Sequence, residues 1–114
     1  MKINAIQELL NARVLCCEES LDKHVYSACG CDLMSDVLAF VKDQAVLLTG
    51  LVNPQVIRTA VMMDMVCIVF VRSKTPTQEM LELAKESGIV LMNTEKTLYT
   101  SCGLLYSNGL TGAK

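Results

Sequence analysis

The chain has little of what most catalytic sites are built from. Its 114 residues include no tryptophan, one histidine and two prolines, and aromatic side chains make up 4% of the total. Only 19% of the residues are charged, 10 Lys and Arg against 12 Asp and Glu. Without a basic excess, nonspecific nucleic-acid binding has no electrostatic footprint. The longest apolar stretch, Val61 to Val71, is broken by Asp64 and falls far short of the ~20 residues of a membrane span. Met1 to Glu8 lacks the continuous apolar region of a secretory signal, so no membrane association and a cytoplasmic location are expected. Also missing are the GxxxxGKS/T phosphate cradle, the GxGxxG dinucleotide fingerprint, and the HExxH and GxSxG catalytic motifs.

What is present is hydrophobic material, 52% of the chain, enough for one core in a domain of ordinary size. No Pro/Gly/Ser linker, internal repeat or charge block divides it. Lys2 to Ala12 carries Ile6, Leu9 and Leu10 at helical spacing, with Asn4 as N-cap and Gln7 three residues on. Arg13 to Cys17 reads as a short strand, Glu18 to Lys23 as a polar excursion, and His24 to Cys31 as a second extended segment. Asp32 is placed to cap a helix over Leu33 to Val41, with Val37, Leu38 and Val41 as its apolar stripe.

The second half has a plainer rhythm. Ala45 to Thr49 is an apolar strand ended by Gly50, and Asn53-Pro54 is a cap followed by proline at the first helical position. That helix turns Val56, Ile57, Ala60 and Val61 inward. Val66 to Val71 is a strand buried on both faces. Thr75-Pro76-Thr77-Gln78 reads as a capping box with Pro76 first in a helix that runs to Gly88. Ile89 to Met92 is the next strand, and Thr94 is placed to cap a last helix carrying Leu98, Cys102 and Leu105. Short strand–helix–strand connections demand parallel strands. The expected fold is a three-layer α/β/α domain around a mostly parallel sheet, spanning residues 1–110, with a frayed tail over 111–114.

Ligands of such sheets sit beyond the carboxyl ends of the strands, here Thr49 to Asn53, Arg72 to Thr75 and Asn93 to Glu95. The turn Thr49-Gly50-Leu51-Val52-Asn53 leaves a buried strand and ends at a helix N-terminus, where backbone donors favour an anion. Thr49, Gly50, Asn53, Arg72 and Thr94 are therefore the candidate ligand residues, and Arg58 stands one turn further on. A plain connection would look the same. His24 lacks a visible nucleophile or orienting acid, and Asp32 with Asp36 reads as helix capping and first-turn charge ahead of a cation pair. Cys16, Cys17, Cys29, Cys31, Cys67 and Cys102 fit free thiols in a reducing compartment. As metal ligands they lack the two-to-four-residue spacing of zinc pairs, and adjacent cysteines on a strand point to opposite faces. Met62, Met63 and Met65 fit core filling or a partner surface. Tyr99 and Tyr106 share one helical stripe and fit either a dimer contact or a core edge.

Taken together, Gly30-Cys31-Asp32-Leu33-Met34-Ser35-Asp36-Val37-Leu38, Val46-Leu47-Leu48-Thr49-Gly50, the Val66–Val71 strand, Thr75–Gly88, Ile89-Val90-Leu91-Met92-Asn93-Thr94 and Tyr99–Leu110 resemble a DRTGG domain in order and spacing. The resemblance implies a fold like the N-terminal domains of HPr kinase/phosphatase and of the Mur ligases. It also implies a non-catalytic regulatory or interaction role, a homodimer, and a protein partner in a regulatory pathway. It carries over no catalytic residue, no cofactor and no metal. Two departures stand out: Gly50 is followed by Leu51-Val52-Asn53 where the family commonly has Asp-Arg, and Arg72-Ser73-Lys74 stands where it has Gly-Gly. A small phosphate-containing ligand fits the regulatory reading. The alternatives are a subunit of an HPr serine kinase-type enzyme, whose P-loop domain is not in this sequence, and a cysteine-based metal or redox module.

Overall fold

Three apolar runs, Ala45–Thr49 (β3), Cys67–Phe70 (β4) and Val90–Asn93 (β5), lie side by side because each has apolar side chains on both faces and must be covered on both. In the computed structural model, which describes residues 1–41 and 44–112, they form the centre of a five-stranded sheet. Arg13–Cys16 (β1) and Ser27–Gly30 (β2) are its edges, in the order β1-β5-β4-β3-β2. Strands β2 to β5 are parallel, and β1 pairs antiparallel to β5.

The helices divide the sheet into two cores. Met34–Phe40 (α2), Pro54–Met62 (α3) and Gln78–Ser87 (α4) cover one face, where Val37, Val56, Ile57, Met80 and Ala84 pack on Leu47, Ile68, Phe70 and Leu91. On the other face Ile3–Leu10 (α1) and Leu98–Ser107 (α5) bring Ile3, Ile6, Leu10 and Leu105 against Val46, Leu48, Val69, Val90 and Met92. The alternation along each strand assigns one set of side chains to each layer. The architecture is the expected α/β/α sandwich with a mostly parallel sheet.

Several expected local details differ. Asn4 does not cap α1: the cap position is Lys2, without a side-chain bond, and the free Ile3 and Asn4 N–H groups donate to Lys23 and Leu21 carbonyls. Tertiary pairing replaces the local cap. The caps of α4 and α5 fall further along than expected, at Thr77 and Thr97, whose hydroxyls accept from the Met80 and Thr100 N–H groups. Pro76 thus precedes the cap, and neither Thr75 nor Thr94 is a cap. Leu38 and Val61 point outward and are exposed, because the stripes of α2 and α3 are narrower than the apolar residues on them. Asn53 does cap α3, accepting from the Gln55 N–H at 2.9 Å, and Gly88 closes α4 at φ 71°.

At the tail, the Ala28 N–H on the free edge of β2 donates to Thr111 O, and Gly112 bridges the same residue. Of the tail expected to fray, residues 113 and 114 lie outside the described residues.

Among the described residues, the buried hydroxyls of Ser27, Thr59 and Ser101 have no hydrogen-bond partner. Thr59, on the inner face of α3, is fully buried and its hydroxyl has no partner. Replacing it with the isosteric valine removes a polar group whose desolvation costs about 1–3 kcal/mol. Thr59→Val is expected to raise the urea midpoint by the equivalent of about 1 kcal/mol with an unchanged slope.

Candidate functional site

Strands β2, β3, β4 and β5 are laid down in chain order across the sheet, each shifted one place in the same direction. Right-handed crossovers then put α2, α3 and α4 on one face. After β5 the chain changes face, and α5 crosses to the layer of α1. The segments leaving β4 and β5 therefore part to opposite sides. Adjacent strands whose connections diverge leave a crevice beyond their carboxyl ends, where open α/β sheets bind ligands.

The neighbouring edge, beyond β3, is occupied by the protein itself. Asp32 does not cap α2, where Leu33 holds that position; its carboxylate crosses to the end of β3. Asp32 Oδ1 accepts from the Thr49 hydroxyl at 2.9 Å and from the Gly50 N–H at 2.8 Å, and Thr49 Oγ1 accepts in turn from the Leu51 N–H at 3.1 Å. Arg72 reaches over from the end of β4. A Cβ on Gly50 would stand 3.1 Å from Arg72 Nη2 and 3.8 Å from both Asp32 oxygens. The missing side chain at Gly50 thus leaves room for the Arg72 guanidinium and the Asp32 carboxylate beside this turn. A carboxylate held by a hydroxyl and a backbone N–H has the surroundings of a bound anion.

The Arg72 position is set by an unusual backbone. Arg72 and Ser73 have φ 54° and 57°, the left-handed region that costs non-glycine residues about 1–2 kcal/mol each. Here stand two side chains where the resemblance leads one to expect a Gly-Gly pair. Their conformation is held by the chain after β5: the Arg72 N–H donates to Lys96 O at 2.9 Å and the Ser73 N–H to Thr94 O at 2.7 Å. Thr94 is buried and ties the same loop to α1, its hydroxyl donating to Leu10 O at 2.7 Å.

Beside this strained loop opens a polar cleft of about 400 Å³ lined by Asn11, Arg13, Ser73, Thr75, Asn93, Thr94 and Glu95. Its base is the cross-strand pair Arg13 and Asn93, opposite each other in the β1–β5 register. Of the candidate ligand residues, Thr49, Gly50 and Arg72 come together around Asp32. Thr94 lines the cleft, and Asn53 sits at the α3 cap. Asn11, Arg13 and the clasp role of Asp32 could not be foreseen, because the first two meet Asn93 only through a pairing of distant strands.

Other candidates lie elsewhere. His24 precedes β2, at the amino end of the parallel strands, and stacks on Tyr26 with ring centroids 6.1 Å apart. Asp36 sits in the first turn of α2. Met65 is in the core, whereas Met62 is exposed. Arg58 is exposed on α3. Cys16 and Cys17 do not point to opposite faces. A bulge between Val14 and Cys16 and a left-handed Cys17 (φ 62°) turn both thiols toward the end of α4, where they donate to Ile89 O at 3.4 Å and Ala84 O at 3.9 Å. Burial, then the Cys16 neighbour, pushes the Cys17 thiol up to about 11. Burial, then Cys31 and Cys102, does the same for Cys29, to about 11, and burial raises the enclosed Cys67 further. Among the described residues no three His, Cys, Asp or Glu side chains converge as metal ligands would. No helix among them is long and apolar enough to cross a membrane.

The sequence matches the DRTGG domain family over residues 5–107. No curated protein matches it. Among solved structures, the chain is similar to the CBS and DRTGG domains of the regulatory region of Clostridium perfringens pyrophosphatase, a structure complexed with the activator diadenosine tetraphosphate. The TM-score is 0.75 at 18% identity; the match covers 91% of this chain and 45% of that one.

Two outcomes follow from this geometry. Asp32→Ala strips the buried Thr49 hydroxyl and the Gly50 N–H of their acceptor, and is expected to lower stability by about 1–2 kcal/mol in urea unfolding. Thiols raised in the folded state keep protons that the unfolded chain loses above about pH 8.5. Stability is therefore expected to hold from neutral pH to that point and to fall as pH rises toward about 11, with a shallower fall in Cys67→Ala. Urea midpoints measured across this range check both the onset and the slope.

Proposed function

This chain belongs to the DRTGG domain family, and on that premise we propose that it is a non-catalytic regulatory domain. In this reading it acts as a homodimer, takes a small anionic ligand at the carboxyl edge of its sheet, and conveys that occupancy to a protein partner in the cytoplasm. The pyrophosphatase neighbour supports the regulatory part, since its matching domain lies in a regulatory region crystallised with an activator. At the carboxyl edge, Thr49, Gly50 and Asn53 hold the frame through their bonds to Asp32 and the α3 terminus. Arg72 and Thr94 border the place where the ligand sits.

The observation that carries the reading is the outer face of α5. From Thr97 to Ala113 the sequence has no charged residue, which is not how a solvated helix is normally surfaced. Tyr99 is 90% and Tyr106 66% exposed, so neither serves the core. Between them Gly103 has open space in front of it, although glycine inside a helix costs about 1 kcal/mol relative to alanine. Two aromatic anchors flanking a residue without a side chain suit the close approach of a second helix. An uncharged face meets its own copy without repulsion, as a two-fold interface requires.

Light scattering on a sizing column is expected to give twice the 12.5 kDa chain mass, and the double variant Tyr99→Glu, Tyr106→Glu to give one chain mass with an unchanged circular-dichroism spectrum. The purified chain is expected to turn over no ATP. A wild-type monomer at high micromolar concentration contradicts the dimer, and ATP hydrolysis that co-purifies with the chain contradicts the non-catalytic role.

A further inference from the structure

We infer that the cleft between the ends of β4 and β5 and the start of β1 binds a phosphorylated, hydroxyl-rich small molecule of the sugar-phosphate class, read through Arg13. The inference rests on the carboxyl edge taking an anionic ligand, and it moves the point of contact away from the Gly50 turn to a place where the protein's own groups leave room.

The place is set by topology, since β4 and β5 are the adjacent parallel strands whose following helices go to opposite faces. Its size, about 400 Å³, is within the range of small-molecule sites. The backbone around it is strained as functional sites are: Asn11 (φ 49°), Arg72 and Ser73 make up half of the six non-glycine residues with positive φ among the described residues.

Charge selects an anion. The three segments forming and flanking the cleft, 11–13, 72–75 and 93–96, hold Arg13, Arg72, Lys74 and Lys96 against Glu95 alone, in a chain whose net charge is −2. Within the lining Arg13 and Glu95 balance, and the cationic flanks, on a protein of net negative charge, draw a negatively charged ligand to that point. Arg13 lines it, and its guanidinium presents the forked donors that match a phosphate. Beyond the Gly50 turn the comparable donors are spent on Asp32.

The remaining lining selects what the phosphate is attached to. Ser73, Thr75, Asn11 and Asn93 offer hydroxyls and amides, and Glu95 accepts from a sugar hydroxyl. Among the described residues no aromatic or aliphatic side chain lines the cleft, so a nucleobase finds no stacking surface there.

The full chain is titrated calorimetrically with inorganic phosphate, ribose 5-phosphate, glucose 6-phosphate, gluconate and AMP. At least one sugar phosphate is expected to bind about tenfold or more tightly than inorganic phosphate and gluconate. AMP, which adds adenine to the same sugar and phosphate, is expected to gain nothing over ribose 5-phosphate. Arg13→Gln is expected to weaken the sugar phosphate about tenfold or more, and Glu95→Gln to erase its advantage over inorganic phosphate. Unchanged melting of both unliganded variants shows that they fold. Tighter binding of AMP, or affinity indifferent to Arg13→Gln, overturns the assignment. Binding lost in Arg72→Gln but kept in Arg13→Gln overturns the cleft while leaving an anion-binding edge in place. No binding of any probe overturns both.

Discussion

The structure depends on one constraint of chain geometry: four parallel strands added in sequence order, each beside the last, through crossovers of one hand. Such a progression stacks every connecting helix on the same side and leaves the opposite face bare. The bare face carries Val46, Leu48, Val69, Val90 and Met92, too much apolar surface to leave in water. It is covered by the two ends of the chain, α1 before the parallel strands and α5 after them. The change of face after β5 is therefore a requirement of burial. It also creates the crevice on which the functional reading turns.

The same constraint explains the difference between the two halves of the carboxyl edge. Beyond β3 the segments run to the same side, and the gap is small enough for Asp32, at the end of β2, to reach the Thr49 hydroxyl and the Gly50 N–H. An acid supplied by the chain satisfies donors that would otherwise face solvent or a ligand. Beyond β4 and β5 the segments diverge. The loops are joined by the Arg72 and Ser73 N–H groups, which donate to Lys96 O and Thr94 O, and by Asn93 Nδ2, which donates to Lys74 O at 3.3 Å. The strained conformation of residues 72 and 73 sends Arg72 toward Asp32 and leaves Ser73 on the cleft wall.

The layers, the parallel order and the helix ends at Asn53 and Gly88 were legible in the sequence because they rest on patterns within a dozen residues: unbroken apolar strands, Asn53-Pro54 at a helix start, Gly88 at a helix end. What escaped was set by distant partners. Asn4, Asp32 and Thr94 have the chemistry of helix caps, yet the bonds they or their neighbours make run to Leu21, to Thr49 and Gly50, and to Leu10. Sequence spacing cannot weigh a local cap against a tertiary partner. The antiparallel β1 is a further case. Its pairing brings Arg13 to Asn93, and its bulge sets Cys16 and Cys17 on one side. The carboxyl edge itself could be named from strand order, but which half of it is open could not.

The proposed regulatory role needs one surface that responds and one that reports, and this chain has candidates on different parts of the fold. The cleft lies at the carboxyl ends of β4 and β5, while the uncharged face belongs to α5, the helix that begins just after the cleft residues Thr94 and Glu95. A ligand that steadied the 93–96 segment would act directly on the start of that helix. The most direct test follows the backbone amide resonances of the full chain as a sugar phosphate is added. The account predicts shifts centred on residues 11–13, 73–75 and 93–95 and fading into the first turn of α5, with the Gly50 amide, still bonded to Asp32, unmoved. Shifts centred on Gly50 to Asn53, with the β4–β5 cleft silent, would contradict it.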